Sequence, residues 1–120
     1  MRSTTGHTFG GYASAPWKIT SGNYINAPGC FLFLVENAHG DAPTCFDCND
    51  LKHAMDVDSD WGPTFGYGGS GGSDLYITSD GTSSWTNFPN SYRDTLGRGI
   101  ATFTGAKFFT PEDYEVWAVK

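Results

Sequence analysis

The segment Cys30-Phe31-Leu32-Phe33-Leu34-Val35 is the continuous apolar run that decides the fold class. Its aromatic and β-branched side chains, bounded by Gly29 and Glu36, favour a strand over a helix. Because no polar residue interrupts the run, we expect this strand to be buried on both faces. Loss of a large core side chain costs about 3–5 kcal/mol, so we expect that destabilisation from Phe33→Ala.

Shorter strand candidates lie on both sides of this run, separated by turns that contain Gly, Pro, Asn or Asp. They are Thr8–Ala13, Thr44–Cys48, His53–Val57, Asp74–Thr78, Ile100–Thr104, Lys107–Phe109 and Tyr114–Val119. Thr110-Pro111-Glu112-Asp113 has the N-cap, proline and acidic positions of a helix start, so we expect one helical turn there. The pattern predicts an all-β fold with minimal helix, a β-sandwich of two antiparallel sheets, as a single domain over residues 1–120.

Composition agrees with this fold class and narrows the functions. The chain has 16 Gly, 9 Phe, 6 Tyr and 4 Trp, which suits short strands with aromatic packing. Seven Lys and Arg oppose 13 Asp and Glu, for a net charge of −6. The acids concentrate in residues 36–60, where Lys52 is the sole base. Such a segment repels nucleic acid and anionic membranes, so we expect neither as a partner; it favours a basic partner, a cation or simple solvation.

The chain has three cysteines, Cys30, Cys45 and Cys48, and a small, odd number of cysteines does not suit a disulfide framework. Without a recognisable signal peptide or membrane-length apolar run, we expect a cytoplasmic protein, with an extracellular setting as the alternative. Cys45-x-x-Cys48 with His53 has some zinc-ligand character. Strand residues three apart face opposite sides, however, so buried free thiols are the favoured interpretation.

Two glycine motifs suggest catalysis or nucleotide binding but lack the required context. Residues Gly66–Gly71 match G-x-G-x-x-G, and Gly68–Gly72 match G-x-S-x-G. Both motifs require a helix to follow, and here a strand candidate follows. The histidines also lack a nucleophile arranged beside them. We therefore expect no enzyme activity, no catalytic residues and no resident cofactor.

Alternating aspartates leave a metal site open as an alternative. Asp56, Asp58 and Asp60 share one face of an extended segment, which suits a cation such as Ca²⁺. The segment is not an EF-hand loop, because Trp61 and Tyr67 occupy the positions that need Gly and Glu. A solvated acidic strand is the favoured interpretation. A glycan-stacking surface is a further alternative, based on Trp17, Trp61, Trp85 and Trp117.

Segments in the same order resemble the TLDc domain family. They are Thr5–Trp17, with its Phe-Gly-Gly-Tyr strand and Pro-Trp end; Phe31–Leu34; Gly62–Gly66 with Asp74–Ile77; and Lys107–Thr110 with Tyr114–Trp117. The Gly-Pro-Thr-Phe-Gly variant resembles cnidarian and protist forms. The resemblance implies a sandwich of two antiparallel sheets. It marks Gly10, Gly11, Gly62, Gly66 and Glu115 as family signature positions without a catalytic role.

The resemblance also implies a function. Family members are associated with oxidative stress resistance and with binding to the vacuolar proton-pumping ATPase. The resemblance begins near Ser3, so we expect the domain to be N-terminally shortened, with no counterpart of the family's first third. A non-enzymatic protein-interaction module is the leading hypothesis. The alternatives are a subunit that self-assembles with other copies of itself through strand addition into an oligomer or filament, and a cation- or glycan-binding module.

Overall fold

The strands form two antiparallel sheets in a computed structural model that describes residues 1–17, 23–57, 61–67, 72–78, 80 and 82–117. The strands are β1 (Arg2–Ser3), β2 (Thr8–Tyr12), β3 (Asn23–Ile25), β4 (Phe31–Glu36), β5 (Thr44–Asp47), β6 (Met55–Val57), β7 (Thr64–Phe65), β8 (Leu75–Tyr76), β9 (Ser84–Trp85), β10 (Phe108–Phe109) and β11 (Pro111–Asp113). The five-stranded sheet has the order β11-β1-β2-β4-β5, and the six-stranded sheet has the order β10-β9-β8-β7-β6-β3. Short 3₁₀ helices span Leu51–His53 and Gly99–Ala101. The predicted all-β fold of two antiparallel sheets is confirmed.

Strand β4 lies between β2 and β5 and is buried on one face only. Leu32 and Leu34 are almost fully buried between the sheets. Phe31 and Phe33, on the opposite face, are half-buried. The prediction of a strand buried on both faces is therefore wrong. The physical reason is that, among the described residues, no second layer covers the outer face, and the two rings are shielded mainly by neighbours in their own sheet.

One part of the space between the sheets is filled by a cluster of phenylalanines, which we call the closed cluster. Its members are Phe9, Phe46, Phe88, Phe103 and Phe109. Their rings stack or meet edge to face, with centroid distances from 4.9 Å for Phe9 and Phe103 to 6.0 Å for Phe46 and Phe103. Four of them have no solvent exposure, and Phe109 has 7%. Strands from both sheets and the connecting loops therefore meet in a sealed aromatic core.

The strands predicted at Ile100–Thr104 and Tyr114–Val119 are not found among the described residues. In place of a strand at Ile100–Thr104, the chain forms the 3₁₀ helix and a turn. The Asp94 carboxylate accepts N–H bonds from Leu96, Gly97 and Gly99, which holds the preceding chain in a loop and competes with strand pairing.

The helix start predicted at Thr110–Asp113 is also wrong, because Pro111–Asp113 forms the edge strand β11. Ser3 lies opposite Pro111 and Arg2 opposite Asp113. A proline is tolerated on an edge strand since its missing N–H costs no ladder bond on the open side. Tyr114–Trp117 follows β11 without strand structure, contrary to the strand predicted for Tyr114–Val119, whose last two residues lie outside the described range.

Candidate functional site

An apolar groove of about 780 Å³ runs along the end of β2. One wall is formed by the 10–17 stretch together with Phe31 and Phe33 of β4, and another by the 114–117 segment. Phe65, Leu75 and Ile77 of the six-stranded sheet and its flanks also line the groove. A volume of this size, with mostly apolar lining, lies within the range typical of binding clefts, about 300–1,000 Å³. The groove is therefore the candidate binding site of this domain.

Two consecutive glycines shape β2 beside the groove. A Cβ on Gly11 would lie 2.5 Å from Cζ of Phe65, and one on Gly10 would lie 2.8 Å from Cζ of Phe33. Since neighbouring strand residues face opposite sides, one ring packs on each side of the strand. The two signature glycines therefore let an aromatic ring from each sheet lie directly against the backbone.

Within the described ranges, the pairing of β1 with β2 covers the start of β2 and not the end that borders the groove. Phe9 exchanges two backbone hydrogen bonds with Met1, at 2.9 and 3.0 Å, on the side of β1. The N–H and C=O groups of successive strand residues point to alternate sides, so those of Gly11 and Ala13 point to the same side as those of Phe9. Ser14 donates its N–H to Cys30 Sγ on the other side, which agrees with this alternation. Gly11 and Ala13, which line or border the groove, therefore direct these groups towards it.

The wall near Trp17 is aromatic and carries one unused donor. The Trp17 ring stands edge-on to Phe65, with centroids 5.3 Å apart. Its Nε1 atom is buried and has no hydrogen-bond partner within the described part of the chain. Indole N–H can only donate, and a buried donor without an acceptor is costly. The wall therefore contains a polar group suited to an acceptor.

The opposite wall, the 114–117 segment, exposes large apolar side chains. Val116 is 73% and Trp117 77% exposed. Trp117 Nε1 donates a 2.9 Å hydrogen bond to Glu115 Oε2, so the signature residue Glu115 orients this indole. Contiguous exposed apolar groups of this kind are typical of interaction surfaces.

Acids and cations both lie near the groove. Asp113 and Glu115 are exposed and interact electrostatically with the Met1 ammonium, and Glu112 forms an ion pair with Arg2 at 3.6 Å. Both partners of this pair are well exposed, so it contributes little to stability. The groove thus combines apolar walls with an acidic rim that Arg2 and the Met1 ammonium partly neutralise.

Asp74 fixes the six-stranded side of the groove. Its carboxylate accepts N–H bonds from Asn90, Ser91 and Tyr92, at 2.7, 2.9 and 3.2 Å. Burial raises the pKa of Asp74 to about 6, against the opposing effect of these donors. Gly66 has φ +80° and leaves the space that Asp74 Oδ1 occupies. The carboxylate therefore ties the loop at 90–92 to the strand that presents Leu75.

The remaining signature glycine, Gly62, is also a close-packing position. A Cβ there would overlap the backbone carbonyl oxygen of Ile77, a residue that lines the groove. Gly62 and Gly66 lie on either side of β7 and permit the close approach of the chain around β8. Sequence reasoning named these glycines but assigned them no geometry.

The candidate cation site is only partly within the described structure. Asp56 lies on β6, opposite Tyr24 and Thr64, and is 4% exposed. Asp58 and Asp60 lie outside the described residues. No cluster of three His, Cys, Asp or Glu side chains suited to a metal occurs in the described ranges. Calcium binding by Asp56, Asp58 and Asp60 stays a prediction.

The cysteines are free thiols, as predicted. Cys30 is buried, but Cys45 is exposed and Cys48 half-buried, so the prediction of buried thiols is wrong for Cys45. Cys45 lies opposite Phe33 in the ladder and shares its open outer face. In these positions Cys45 and Cys48 form no metal-ligand cluster with His53.

Sequence reasoning did not find the groove. Its walls are separated by about a hundred residues along the chain and are brought together by the pairing of β1 with β11 and β2. The available signal was the Gly10-Gly11 pair, since two glycines inside a strand indicate close approach of other groups.

The family model of the TLDc domain matches residues 1–120. No curated protein and no solved structure gives a match to the chain. Across the described residues, no helix has the length and apolarity needed to cross a membrane.

Proposed function

Because the chain belongs to the TLDc domain family, we propose that it is a non-enzymatic protein-interaction module whose groove receives a segment of a partner protein. TLDc domains are generally linked to oxidative stress resistance. By docking partner proteins, the domain would contribute to oxidative stress resistance through the proteins that it binds. The vacuolar proton-pumping ATPase, implied by the family resemblance, is one such partner. Three free cysteines accord with a cytoplasmic setting.

The observation that carries the proposal is the exposure of Val116 and Trp117 beside an open apolar groove. A free-standing domain gains stability by burying such side chains, yet these are 73% and 77% exposed. Aromatic residues at the centre of an interface commonly supply much of its binding energy. Trp117, oriented by Glu115, is positioned as an anchor of this kind.

Self-assembly is the second candidate, favoured by the end of β2, which pairs with β4 but with no second described strand on the groove side. An unpaired strand edge is a template for a strand from another chain, including another copy. The acidic rim weighs against direct face-to-face contact of two grooves, because Asp113 and Glu115 of each copy would meet like charges. A heterologous partner therefore remains the leading proposal.

The test is partner capture by matched variants of the 120-residue chain. Val116→Ser combined with Trp117→Ala removes the exposed wall of the groove. Phe108→Ala is the control, since Phe108 is 63% exposed but does not line the groove. We expect proteins cross-linked to the wild type and to the control to be lost from the double variant. Equal capture by all three proteins would contradict the proposal.

A further inference from the structure

We infer that Cys30 and Cys48 form a reversible oxidation site, at which hydrogen peroxide links β4 to the end of β5 through a disulfide bond and so frees the backbone of Ser14 at the groove. The disulfide is independent of the proposed function. Only its consequence for partner binding rests on that function.

The register of the ladder between β4 and β5 places the two cysteines opposite each other. Phe31 pairs with Asp47, and one further step in the same register brings Cys30 opposite Cys48. Opposing residues of an antiparallel ladder have Cα atoms about 4.5–5.5 Å apart, and a disulfide accepts about 4.4–6.8 Å. The backbone geometry therefore suits a bond between these two sulfurs.

Both side chains lie on the inner face of the five-stranded sheet. Side chains alternate along a strand, so Cys30 shares the face of the buried Leu32. In the same way, Cys48 shares the face of the buried Phe46. Burial and then the nearby Cys30 and Cys48 thiols raise the pKa of the Tyr92 hydroxyl, which places both sulfurs near one side chain.

The third cysteine, Cys45, does not belong to this pair. It precedes Cys48 by three residues, so its side chain lies on the other face of the strand. There it is exposed and stands opposite Phe33 in the ladder. Cys45 is therefore a matched control thiol on the same strand.

The difference in exposure sets the order of the two chemical steps. Cys48 is half-buried, whereas Cys30 is only 3% exposed, so peroxide meets the Cys48 sulfur first. The Cys48 thiolate attacks one peroxide oxygen; the S–O bond forms, the O–O bond breaks, and the leaving hydroxide takes up the thiol proton as water. The Cys30 thiolate then attacks the Cys48 sulfur; the S–S bond forms, the S–O bond breaks, and hydroxide leaves with the second thiol proton as water.

Two thiols are thus oxidised to one disulfide, and one peroxide is reduced to two waters. Burial raises the pKa of the Cys48 thiol, which slows the first step because the thiolate is the reactive form. The site therefore responds to sustained rather than brief exposure to peroxide.

The sulfur of Cys30 connects this pair to the groove. It accepts the N–H of Ser14 at 3.4 Å and lies 3.5 Å from Ser14 Oγ. Ser14 follows β2, and β2 and β5 lie on opposite sides of β4. A Cys30 sulfur that turns towards β5 to bond Cys48 leaves the Ser14 N–H without this acceptor. Because Ser14 lines the groove, the oxidation state of the pair reaches the groove wall.

Counting thiols after peroxide treatment of the folded 120-residue chain tests the disulfide. After unfolding, reduced Cys45→Ser should take up two alkyl groups from a thiol reagent. After sustained treatment with peroxide it should take up none, with a mass lower by two hydrogen atoms, and dithiothreitol should restore both thiols. Two alkylated thiols after treatment, or a sulfinic acid at Cys48 beside an alkylated Cys30, would overturn the site.

Peptide mass mapping of the oxidised wild type supplies the matched control. A peptic fragment that contains Cys30 should be joined to one that contains Cys48. The yield of this disulfide should be unchanged in Cys45→Ser, whereas Cys48→Ser should form no intramolecular disulfide. An intramolecular disulfide in Cys48→Ser at the wild-type yield would overturn the assignment. Since Cys48 is half-buried, this variant avoids a substitution of the buried Cys30.

Amide hydrogen exchange at Ser14 tests the connection to the groove. Oxidation of Cys45→Ser should speed exchange at Ser14 at least fivefold, while the Gly66 amide, which donates to the Ala54 carbonyl, keeps its rate. In Cys30→Ala the Ser14 amide should exchange at the faster rate with or without peroxide. An unchanged Ser14 rate in the oxidised protein would overturn the connection. Neither measurement uses a partner, so the proposed function, tested by capture, fails separately.

Discussion

The closed cluster and the groove both contain aromatic side chains, but the closed cluster encloses them and the groove exposes them. In the closed cluster, Phe46 and Phe103 have no solvent exposure and contact other rings on several sides. At the groove, Trp117 is 77% exposed and Phe33 half-buried. The comparison teaches that aromatic content alone does not locate the core. Stability resides where rings from both sheets are enclosed, and binding is proposed where apolar side chains line an open groove.

The largest expected effect separates Phe46 from Phe33. Phe46→Ala should lower the free energy of unfolding by about 3–5 kcal/mol, because a fully enclosed ring is lost. Phe33→Ala should cost only about 1–2 kcal/mol, less than the sequence suggests, because its ring is half-exposed. Urea unfolding of both variants measures the difference. Equal costs would mean that the outer face is covered after all.

Asp74 gives the next effect, a pH dependence of stability. Its pKa rises from the unfolded value of about 4 to about 6 in the folded chain, so the folded state holds the proton more tightly. The associated stability is complete below about pH 4 and is lost as the pH rises through 6, by roughly 2–3 kcal/mol.

The check on Asp74 is urea unfolding from pH 4 to pH 7 for the wild type and Asp74→Asn. The variant should lack the decline that the wild type shows in this window. Asp41 acts in the opposite sense: Arg98 and Asn37 hold its pKa at about 2, so its contribution is lost as the pH falls from about 4 towards 2. A wild-type stability that rises steadily from pH 4 to pH 7 would contradict the assignment to Asp74.

The neighbouring glycines of β2 give a smaller, paired effect. Gly11→Ala should destabilise the domain by about 1–3 kcal/mol, because the methyl group meets three ring atoms of the buried Phe65 within 2.8 Å. Gly10→Ala should cost about 1 kcal/mol or less, since the half-exposed Phe33 ring has room to move. Thermal unfolding of the two variants measures both losses of stability. A larger loss for Gly10→Ala than for Gly11→Ala would show that the tighter contact is the one with Phe33 and would contradict the account.

The smallest expected effect on stability comes from the wall of the groove. Val116→Ser with Trp117→Ala should change the free energy of unfolding by less than about 0.5 kcal/mol, because both side chains are already mostly exposed. Urea unfolding measures it. A loss above about 2 kcal/mol would show that these side chains belong to the core, and the contrast between the two regions would disappear.

The fold class followed from the sequence, but the site did not. The apolar run at β4 and the turns around it were enough to predict two antiparallel sheets. The sequence pattern of Tyr114–Trp117 favours a strand, yet a strand needs a partner, and no described strand pairs with this segment. The glycines Gly10 and Gly11 were recognised, but the rings that require them come from distant residues.

Residue-by-residue amide hydrogen exchange of the free chain tests the central contrast most directly. We expect amides in the ladder between β4 and β5, beside the closed cluster, to exchange only on global unfolding. Gly11, Ala13 and Tyr114–Trp117 should exchange orders of magnitude faster, because their N–H groups face the groove or solvent. Slow exchange at Gly11 and Ala13, equal to that in β4, would show that this edge is already paired and would contradict the account.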